Sequence, residues 1–297
     1  MTREPAVSVC VPTWNGAAHL TECLSSLLAQ TWDDYEILLL DDGSADDTLE
    51  IAAGFRDARL TIHRNPHRLG LPGNWNRCLA LARGRLLKFL FQDDSLAPTA
   101  LQELVRALDR PSEPVLSFCR REIRHHAGLA APVLGEAYTR YLEAFYSDLD
   151  DEVTGLDLVL AWTRAGRPLS TNVVGEPSFV LFRRDAARAV GGFDVRFAQL
   201  ADWDLWLRLA RRAPLAFVDQ VLGVFRIHAQ GESAKNFGRP RLQRDNALLL
   251  GKLSRAYGPL LAPAVRWKLR LACGNAGYHW LMESLAGVLK HRRAAVA

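Results

Sequence analysis

Two adjacent carboxylates, Asp93 and Asp94, follow an apolar stretch of strand length at residues 85–91. In an open α/β sheet, ligands bind just beyond the carboxyl ends of the strands. Hard divalent cations prefer oxygen ligands, and Mg²⁺ often uses one or two carboxylates together with the phosphates of its substrate. This pattern predicts a site for Mg²⁺ or Mn²⁺ and for the phosphates that the cation carries. A solvated loop after a strand is the alternative interpretation.

A second pair of acids, Asp41 and Asp42, comes directly after another predicted strand, Tyr35–Leu40. Acids at the end of a parallel strand can face the same ligand as Asp93. The alternative is a turn that uses the side chain of Asp41 or Asp42 to bind its own backbone.

A third candidate for chemistry, Asp202, stands at the start of a segment with helical periodicity. A positioned carboxylate can remove the proton from an attacking hydroxyl group. The alternative role for Asp202 is an N-cap of that helix. We expect Asp204 to lie at the surface or behind the site. His228 follows a predicted strand, Ala216–Ile227, and is either a ligand or an ordinary polar residue.

Strands and helices must alternate to bring these residues together. The strands predicted from β-rich apolar runs are Ala6–Val11, Tyr35–Leu40, Leu60–His63, residues 85–91, Phe179–Arg183 and Ala216–Ile227. Helical periodicity lies between them, as in the spacing of Leu20, Cys23, Leu24 and Leu27. This alternation predicts a parallel sheet with right-handed crossovers. We expect residues 120–170 to be partly helical, and the chain from Pro240 onward to be all helical.

The bulk composition excludes some classes of protein. The chain has 297 residues, which suffices for one large or two small domains, and a formal net charge of +4. That charge requires no nucleic-acid partner, and we expect none. The five cysteines form no CxxC pair, so we expect buried free thiols in a reducing compartment. Neither a signal peptide nor a membrane-spanning run is expected, which predicts a cytoplasmic protein.

Several motifs in a fixed order support a resemblance to a known family. They are Val7–Gly16, Asp41–Thr48, Asn74–Arg77, Gln92–Asp94, Phe179–Arg184, Gly191–Asp194 and Asp202–Trp206. Together these motifs, over residues 6–235, resemble the family 2 glycosyltransferases of the GT-A fold. The resemblance implies an α/β, Rossmann-like, mostly parallel sheet flanked by helices, with a C-terminal helical extension. We expect a catalytic domain at residues 1–238, with a nucleotide-sugar half at 1–118 and an acceptor half at 119–238, and the extension at 239–297.

The activity that the resemblance implies is transfer of a sugar, with inversion, from a nucleotide-diphosphate-sugar donor to an acceptor hydroxyl. The acceptor would be a glycan or a lipid-linked molecule in the synthesis of cell-surface polysaccharide or glycolipid. A non-catalytic module that binds a nucleotide or a glycan and a nucleotidyltransferase remain as alternatives. The binding module would hydrolyse no donor, and the nucleotidyltransferase would release diphosphate.

Residue roles also follow from the resemblance. The donor pocket would be made of Pro12, Thr13, Trp14, Asp42 and Asn74. Asp94 would bind the Mg²⁺ or Mn²⁺, Asp93 a ribose hydroxyl or a metal-bound water, and His228 the metal or the diphosphate. Asp202 would be the general base. Core packing of Trp14 and helix capping by Asn74 are the alternatives for those two residues.

The sequence departs from the family pattern at two acids. The first acid of the usual Asp-x-Asp motif is replaced by Phe91, and the acid expected before Asp202 is replaced by Ala201. The division of roles between Asp93 and Asp94 therefore stays open.

The C-terminal tail combines basic and aromatic residues, among them Trp267, Arg270 and Trp280. Such a helix can lie on an anionic membrane surface. This pattern is consistent with peripheral contact at the inner face of the plasma membrane. The alternatives are a helical cap over the catalytic domain or a homodimer contact.

Overall fold

The computed structural model describes residues 4–125, 136–165, 172–231, 240–267 and 270–272. The strands are β1 Val7–Thr13, β2 Tyr35–Asp41, β3 Leu60–Arg64, β4 Leu86–Phe89, β5 Ser95–Leu96, β6 Leu116–His125, β7 Glu152–Val153, β8 Val180–Arg183 and β9 Leu215–Ile227. The α-helices are α1 Ala17–Leu28, α2 Thr48–Gly54, α3 Leu71–Leu81, α4 Ala100–Leu108, α5 Glu136–Ser147, α6 Gly155–Ala165, α7 Arg184–Ala189, α8 Ala201–Leu209 and α9 Pro240–Tyr257. Short 3₁₀ helices form at Pro177–Phe179 and Gly258–Leu260.

One mixed sheet runs through the described residues, in the order β3-β2-β1-β4-β8-β6-β9-β5, with β7 paired to β9. The first four strands are parallel, as the alternation of strands and helices predicts. Strand β8 runs antiparallel to both β4 and β6, whereas β6 and β9 are parallel. The chain enters β8 beside the carboxyl end of β4, where Ser178 contacts Phe91, so β8 must run back along β4.

The two faces of the sheet bury separate hydrophobic clusters. Val7, Val9 and Val11 of β1 pack on one face with α1 and α4, while Cys10 faces the other side with α3 and α8. Alternate residues of β1 and the apolar face of α1 therefore fill one layer together. Four cysteines in the described part of the chain are buried and free: Cys10, Cys23, Cys78 and Cys119.

The strand register collects polar residues at one edge of the sheet. Thr13 at the end of β1 pairs with Asp41 at the end of β2. Strand β5 pairs with β9 through Ser95 and Val224, which brings the chain after β4 close to the end of β9. The residues that follow β1, β2, β4 and β9 therefore surround a common space.

Helices cover the second half of the sheet. Leu205, Trp206 and Leu209 of α8 are buried, as their spacing predicts. Helix α9 contributes Leu250 and Leu253 to the same cluster. The predicted boundary at residues 238–239 and most of the tail, including Trp280, lie outside the described residues. Where the chain is described, no helix combines the length and apolar character that crossing a membrane requires.

Within residues 120–170, helices α5 and α6 agree with the predicted helical content. The outer half of β6 and the short β7 also lie in this region, and the sequence did not indicate them. Burial explains this, because β6 is buried over its first four residues and largely exposed near its end.

Candidate active site

A cleft of about 850 Å³ opens at the edge where the strand ends meet. The predicted site residues that line it are Pro12, Thr13, Trp14, Asp42, Asn74, Asp93, Asp202 and His228. Asp94 lies behind this lining and is only 1% exposed. Candidate donor-side and acceptor-side residues, far apart in the chain, therefore face one space.

Asp42 holds the loop that leads into α3. Its Oδ1 accepts hydrogen bonds from the Asn65 amide at 2.7 Å and from the Leu69 N–H at 2.8 Å, and its Oδ2 accepts one from the Gly70 N–H at 2.9 Å. The Asn65 amide also donates to Asn74 Oδ1 at 2.9 Å. Asp42 and Asn74 are thus fixed by one buried network at the wall of the cleft. Asp42 Oδ2 keeps a lone pair for one further donor.

Of the alternative roles considered for Asp41 and Asn74, the structure supports the first and contradicts the second. Asp41 is fully buried and accepts from the N–H groups of Gly43 and Ser44, so it has the turn role. Helix α3 begins at Leu71, with Gly70 as the N-cap residue. Asn74 lies inside the first turn, so the capping interpretation of Asn74 is wrong.

Trp14 is held through its backbone by the side-chain amide of Gln92. The Trp14 N–H donates to Gln92 Oε1 at 2.9 Å, and Gln92 Nε2 donates to the Trp14 carbonyl at 3.1 Å. The guanidinium carbon of Arg68 lies 3.5 Å from the centre of the Trp14 ring, a cation–π contact. An added Cβ at Gly16 would lie 2.2 Å from Gln92 Oε1, so any larger residue there would displace the Gln92 amide from Trp14. Trp14 is therefore a cleft residue and is not part of the core.

The acids after β4 differ sharply in environment. Asp93 Oδ2 lies 3.0 Å from His228 Nε2, and both residues face the cleft. Asp94 Oδ1 instead accepts a hydrogen bond from the backbone N–H of Arg226 at 3.1 Å. Burial, reinforced by the charge of Asp93, raises the pKa of Asp94 well above its usual range. The expectation that Asp94 meets the metal and Asp93 the ribose does not fit this placement, because Asp93 holds the exposed position and Asp94 joins β4 to β9.

The chemistry of the Asp93–His228 pair suits a divalent cation that shares its coordination with phosphate. Within the described ranges, no group of three or more His, Cys, Asp or Glu side chains is arranged to hold an ion. Asp93 supplies one carboxylate beside an open cleft, and Mg²⁺ is usually held by one or two carboxylates together with substrate phosphates and water. His228 would add a nitrogen ligand next to it.

Asp202 lies in the first turn of α8 and lines the cleft. Its Oδ1 accepts from the Trp203 N–H at 2.7 Å, and its Oδ2 accepts from the Asn172 amide at 3.1 Å. Burial raises the pKa of Asp202 to about 7; the Trp203 N–H opposes this shift, and the charge of Glu176 adds to it. Leu200, not Asp202, is the N-cap residue, so the capping interpretation is wrong. A carboxyl group with this pKa can exchange a proton near neutral pH.

The loop before α8 is anchored by a buried carboxylate from α9. Asp245 Oδ2 accepts from the N–H groups of Ala198, Gln199 and Leu200, at 2.9, 2.7 and 3.2 Å. Ala198 and Gln199 line the cleft. Asp245 therefore fixes the stretch of backbone that leads into Asp202.

Asp204 is buried, so of the two positions expected for it the one at the surface is wrong. It pairs with Arg208 one turn later and with Lys252 of α9. Local sequence patterns cannot predict this partner, because Lys252 lies 48 residues after Asp204.

Other cleft residues were not singled out from the sequence. They are Glu176, Arg68, Arg226, His19 and Arg241. The available signal was weak: Glu176 sits between Gly175 and Pro177 just before a strand, where a charged residue could also be a solvated turn. Arg226 lies two residues before His228 and could have been considered with it.

Comparison with known proteins agrees with this fold. Residues 8–158 match the family described as Glycosyl transferase family 2, and the chain belongs to that family. The uncharacterized protein MT1568 of Mycobacterium tuberculosis is 37% identical over 247 residues, covering 83% of this chain and 75% of that protein. The PGL/p-HBAD biosynthesis glycosyltransferase of Mycobacterium bovis is 32% identical over 207 residues, covering 69% of each chain.

Solved structures show the same fold at lower identity. Staphylococcus aureus TarS, residues 1–349, in complex with UDP-GlcNAc, aligns with a TM-score of 0.66 and 18% identity over 92% of this chain and 72% of that chain. The mannosyltransferase PcManGT of Pyrobaculum calidifontis, in complex with GDP-Man and Mn²⁺, aligns with a TM-score of 0.63 and 20% identity over 100% of this chain and 81% of that chain. The predicted GT-A fold and the family resemblance are confirmed.

Proposed function

We propose that the protein is an inverting glycosyltransferase that moves a sugar from a nucleotide-diphosphate-sugar donor to an acceptor hydroxyl. The observation that carries the proposal is that Asp93, His228 and Asp202 line the same cleft as the Asp42–Asn74 network. Such a cleft can hold a nucleotide, a diphosphate and a sugar ring between the β1 side and α8.

Asp202 is the general base of the proposed reaction. The acceptor oxygen attacks the anomeric carbon while its proton passes to the Asp202 carboxylate. The bond from the anomeric carbon to the diphosphate oxygen breaks, and the nucleoside diphosphate leaves with the electron pair. A single displacement of this kind inverts the anomeric carbon.

Asp93 and His228 would hold a divalent cation, Mg²⁺ or Mn²⁺, against the donor diphosphate. A bound cation supplies positive charge that stabilises the leaving diphosphate. This assignment replaces the one that gave the metal to Asp94. Support comes from the 3.0 Å contact between Asp93 and His228 at the cleft and from the burial of Asp94.

The nucleoside part of the donor would bind along Pro12, Thr13 and Trp14, with Asp42 accepting from the base and Asn74 fixing Asp42 through Asn65. The support is that Asp42 Oδ2 accepts one protein hydrogen bond, from the Gly70 N–H, and keeps a further lone pair. A Watson–Crick-edge N–H is the kind of donor that this lone pair suits.

A glycolipid or glycan acceptor fits the relative whose name refers to PGL/p-HBAD biosynthesis. Peripheral contact with a membrane is consistent with the exposed side chains of Leu260 and Trp267 in the C-terminal segment. We place the protein in the cytoplasm, at the inner face of the membrane, on these grounds.

The test begins with donor binding. The purified protein is melted with UDP-glucose, UDP-GlcNAc or GDP-mannose, each with Mn²⁺ and with EDTA. At least one donor should raise the melting temperature, and more strongly with Mn²⁺, because a ligand that binds only the folded state stabilises it. No shift with any donor of a widened panel would contradict the proposal.

Three matched Asp→Asn variants then separate the roles. Asp93→Asn should lose the Mn²⁺-dependent part of the shift, while Asp94→Asn should keep most of it, because Asp94 is buried and its Oδ1 can be replaced by an amide oxygen. Asp202→Asn should still bind donor but release nucleoside diphosphate about 10²–10⁴-fold more slowly, the usual worth of a general base. Unchanged turnover in Asp202→Asn would refute its role. Release of inorganic diphosphate when the protein is given a nucleoside triphosphate and a sugar 1-phosphate, with no sugar transfer from a nucleotide sugar, would indicate a nucleotidyltransferase.

A further inference from the structure

Residues 172–178 form a segment that joins the two chemical ends of the cleft. At one end, the Asn172 amide donates to Asp202 Oδ2 at 3.1 Å. At the other end, Ser178 Oγ accepts from the Phe91 N–H at 3.0 Å, two residues before Asp93. This bridging segment therefore runs from the proposed base to the strand end that carries the proposed cation ligand.

Glu176 lies within the bridging segment and lines the cleft, with its side chain 18% exposed. Its Oε2 lies 2.6 Å from Nε of Arg121, whose side chain is fully buried. Arg121 in turn donates to the hydroxyl of Tyr146, and that hydroxyl donates to the Val173 carbonyl at 2.9 Å. The Glu176 carboxylate is thus held in place by a permanent buried charge that is itself fixed to the bridging segment.

The geometry of an inverting transfer determines which part of the donor lies beside the bridging segment. The attacking oxygen and the leaving diphosphate lie on opposite sides of the anomeric carbon, so the transferred sugar ring lies between the base and the diphosphate. Glu176 lines the cleft together with Asp93 and Asp202, and it lies in the segment that contacts both ends of that cleft. A carboxylate in that position meets the hydroxyl groups of the ring and can accept hydrogen bonds from two of them.

We propose that Glu176 binds hydroxyl groups of the transferred sugar and thereby selects the donor. This inference rests on the proposed function. Arg121 positions Glu176 and does not itself reach the sugar. A ring that lacks a hydroxyl at this place would leave a partly buried carboxylate without its partner, which is how polar sites reject an analogue strongly.

The experiment compares a nucleotide sugar with the same nucleotide lacking the sugar. By calorimetry with Mn²⁺, Glu176→Gln should bind the best nucleotide sugar among UDP-glucose, UDP-GlcNAc and GDP-mannose at least tenfold more weakly than wild type. Binding of the matching UDP or GDP should change less than twofold, because the diphosphate and the base do not contact Glu176. That diphosphate measurement also verifies that the variant is folded.

Two further variants sharpen the result. Glu176→Asp keeps the charge but withdraws the carboxylate by one methylene, so it should also weaken sugar binding selectively. Glu143→Gln is the matched control. The Glu143 side chain also pairs with an arginine, Arg120, but it is exposed and does not line the cleft. It should behave as wild type.

Two outcomes would overturn the inference. If both Glu176 variants bind the nucleotide sugar as tightly as wild type, or lose the sugar and the diphosphate equally, Glu176 does not recognise the ring, while the proposed function stands. If the wild type binds no nucleotide sugar, the proposed function and the inference fail together.

Discussion

Asp202 is a carboxyl group whose pKa the fold raises to about 7, and burial is the main cause. Hydrogen bonds from the Trp203 N–H and the Asn172 amide favour the ionised form and limit the shift. The balance leaves the group close to half ionised at neutral pH. A base needs such a pKa to accept a proton in the transition state without being permanently protonated.

The pH dependence of turnover should follow this pKa. Asp202 accepts a proton only when it is ionised, so the rate should fall about tenfold for each pH unit well below 7 and level off above it. Initial rates of nucleoside diphosphate release between pH 5 and pH 9, at saturating donor and Mn²⁺, would measure this. A flat profile down to pH 5 would argue against Asp202 as the base.

The raised pKa of Asp202 also predicts that its ionisation lowers the stability of the folded protein. Because the folded pKa of about 7 lies above the ordinary value of 3.8, ionisation of Asp202 disfavours the folded state as pH rises from about 4 to 7. Asp202→Asn should therefore be more stable than wild type at pH 8, by up to about 4 kcal/mol, with little advantage near pH 4. Urea unfolding at both pH values tests this; an advantage that is equal at both would show that ionisation is not the cause.

Single residues also mark where sequence reasoning stops. The sequence predicts that Asp93 and Asp94 follow a strand at the site. It does not predict which of the two faces the cleft, because adjacent residues after a strand point in different directions. Only the pairing of β5 with β9 decides that Asp93 faces His228 while Asp94 meets the Arg226 backbone. That contact joins residues more than 130 positions apart, beyond any local pattern.

At the scale of elements, α9 supports the loop that precedes α8. Asp245 accepts three backbone N–H groups of the loop before α8. Lys252, two turns further along α9, pairs with Asp194 and Asp204 on either side of that loop. Helix α9 therefore holds the segment that delivers Asp202.

Removal of the Asp245 carboxylate should loosen that segment. Asp245→Ala leaves buried N–H groups without an acceptor, at about 1–3 kcal/mol of stability, and displaces the backbone before Asp202. We expect turnover to fall about tenfold or more, with donor affinity within twofold of wild type. Rates per folded protein and calorimetry would show this split.

Asp185→Ala is the control for that variant, because the Asp185 side chain is 85% exposed in its pairing with Arg184. It should leave rate and stability unchanged. Wild-type turnover in folded Asp245→Ala would mean that the loop keeps its shape without the carboxylate.

The elements that sequence patterns predicted are those with local causes. Strands β1 to β4 follow from short β-rich runs and helix α1 from its helical spacing. The parallel order of these strands follows from the crossovers. Strand β6 was missed because its outer half is polar and is defined by pairing with β9, nearly a hundred residues later. The direction of β8 likewise depends on a contact between Ser178 and Phe91 that no local signal carries.

At the scale of the whole molecule, helix α9 shares a hydrophobic core with the central sheet. Leu250 and Leu253 of α9 belong to the same buried cluster as Trp206 of α8 and Phe182 of β8. We therefore expect α9 and the sheet to unfold together.

A matched pair of leucines tests this cooperativity. Leu253 is 2% exposed and Leu260 is 62% exposed. Leu253→Ala should lower the free energy of unfolding by about 2–5 kcal/mol and move the entire transition, while Leu260→Ala should have an effect within about 0.5 kcal/mol. Calorimetric scans would reveal it. A separate early transition in Leu253→Ala would show that α9 unfolds independently.

The contact between the Arg68 guanidinium and the Trp14 ring should affect the fluorescence of this tryptophan. An incoming nucleobase can reach that indole face only by pushing the cation aside or by stacking upon it, and either event alters the surroundings of the chromophore. Nucleotide entry should thus be visible as a change in tryptophan emission, without any label and before a bond is broken.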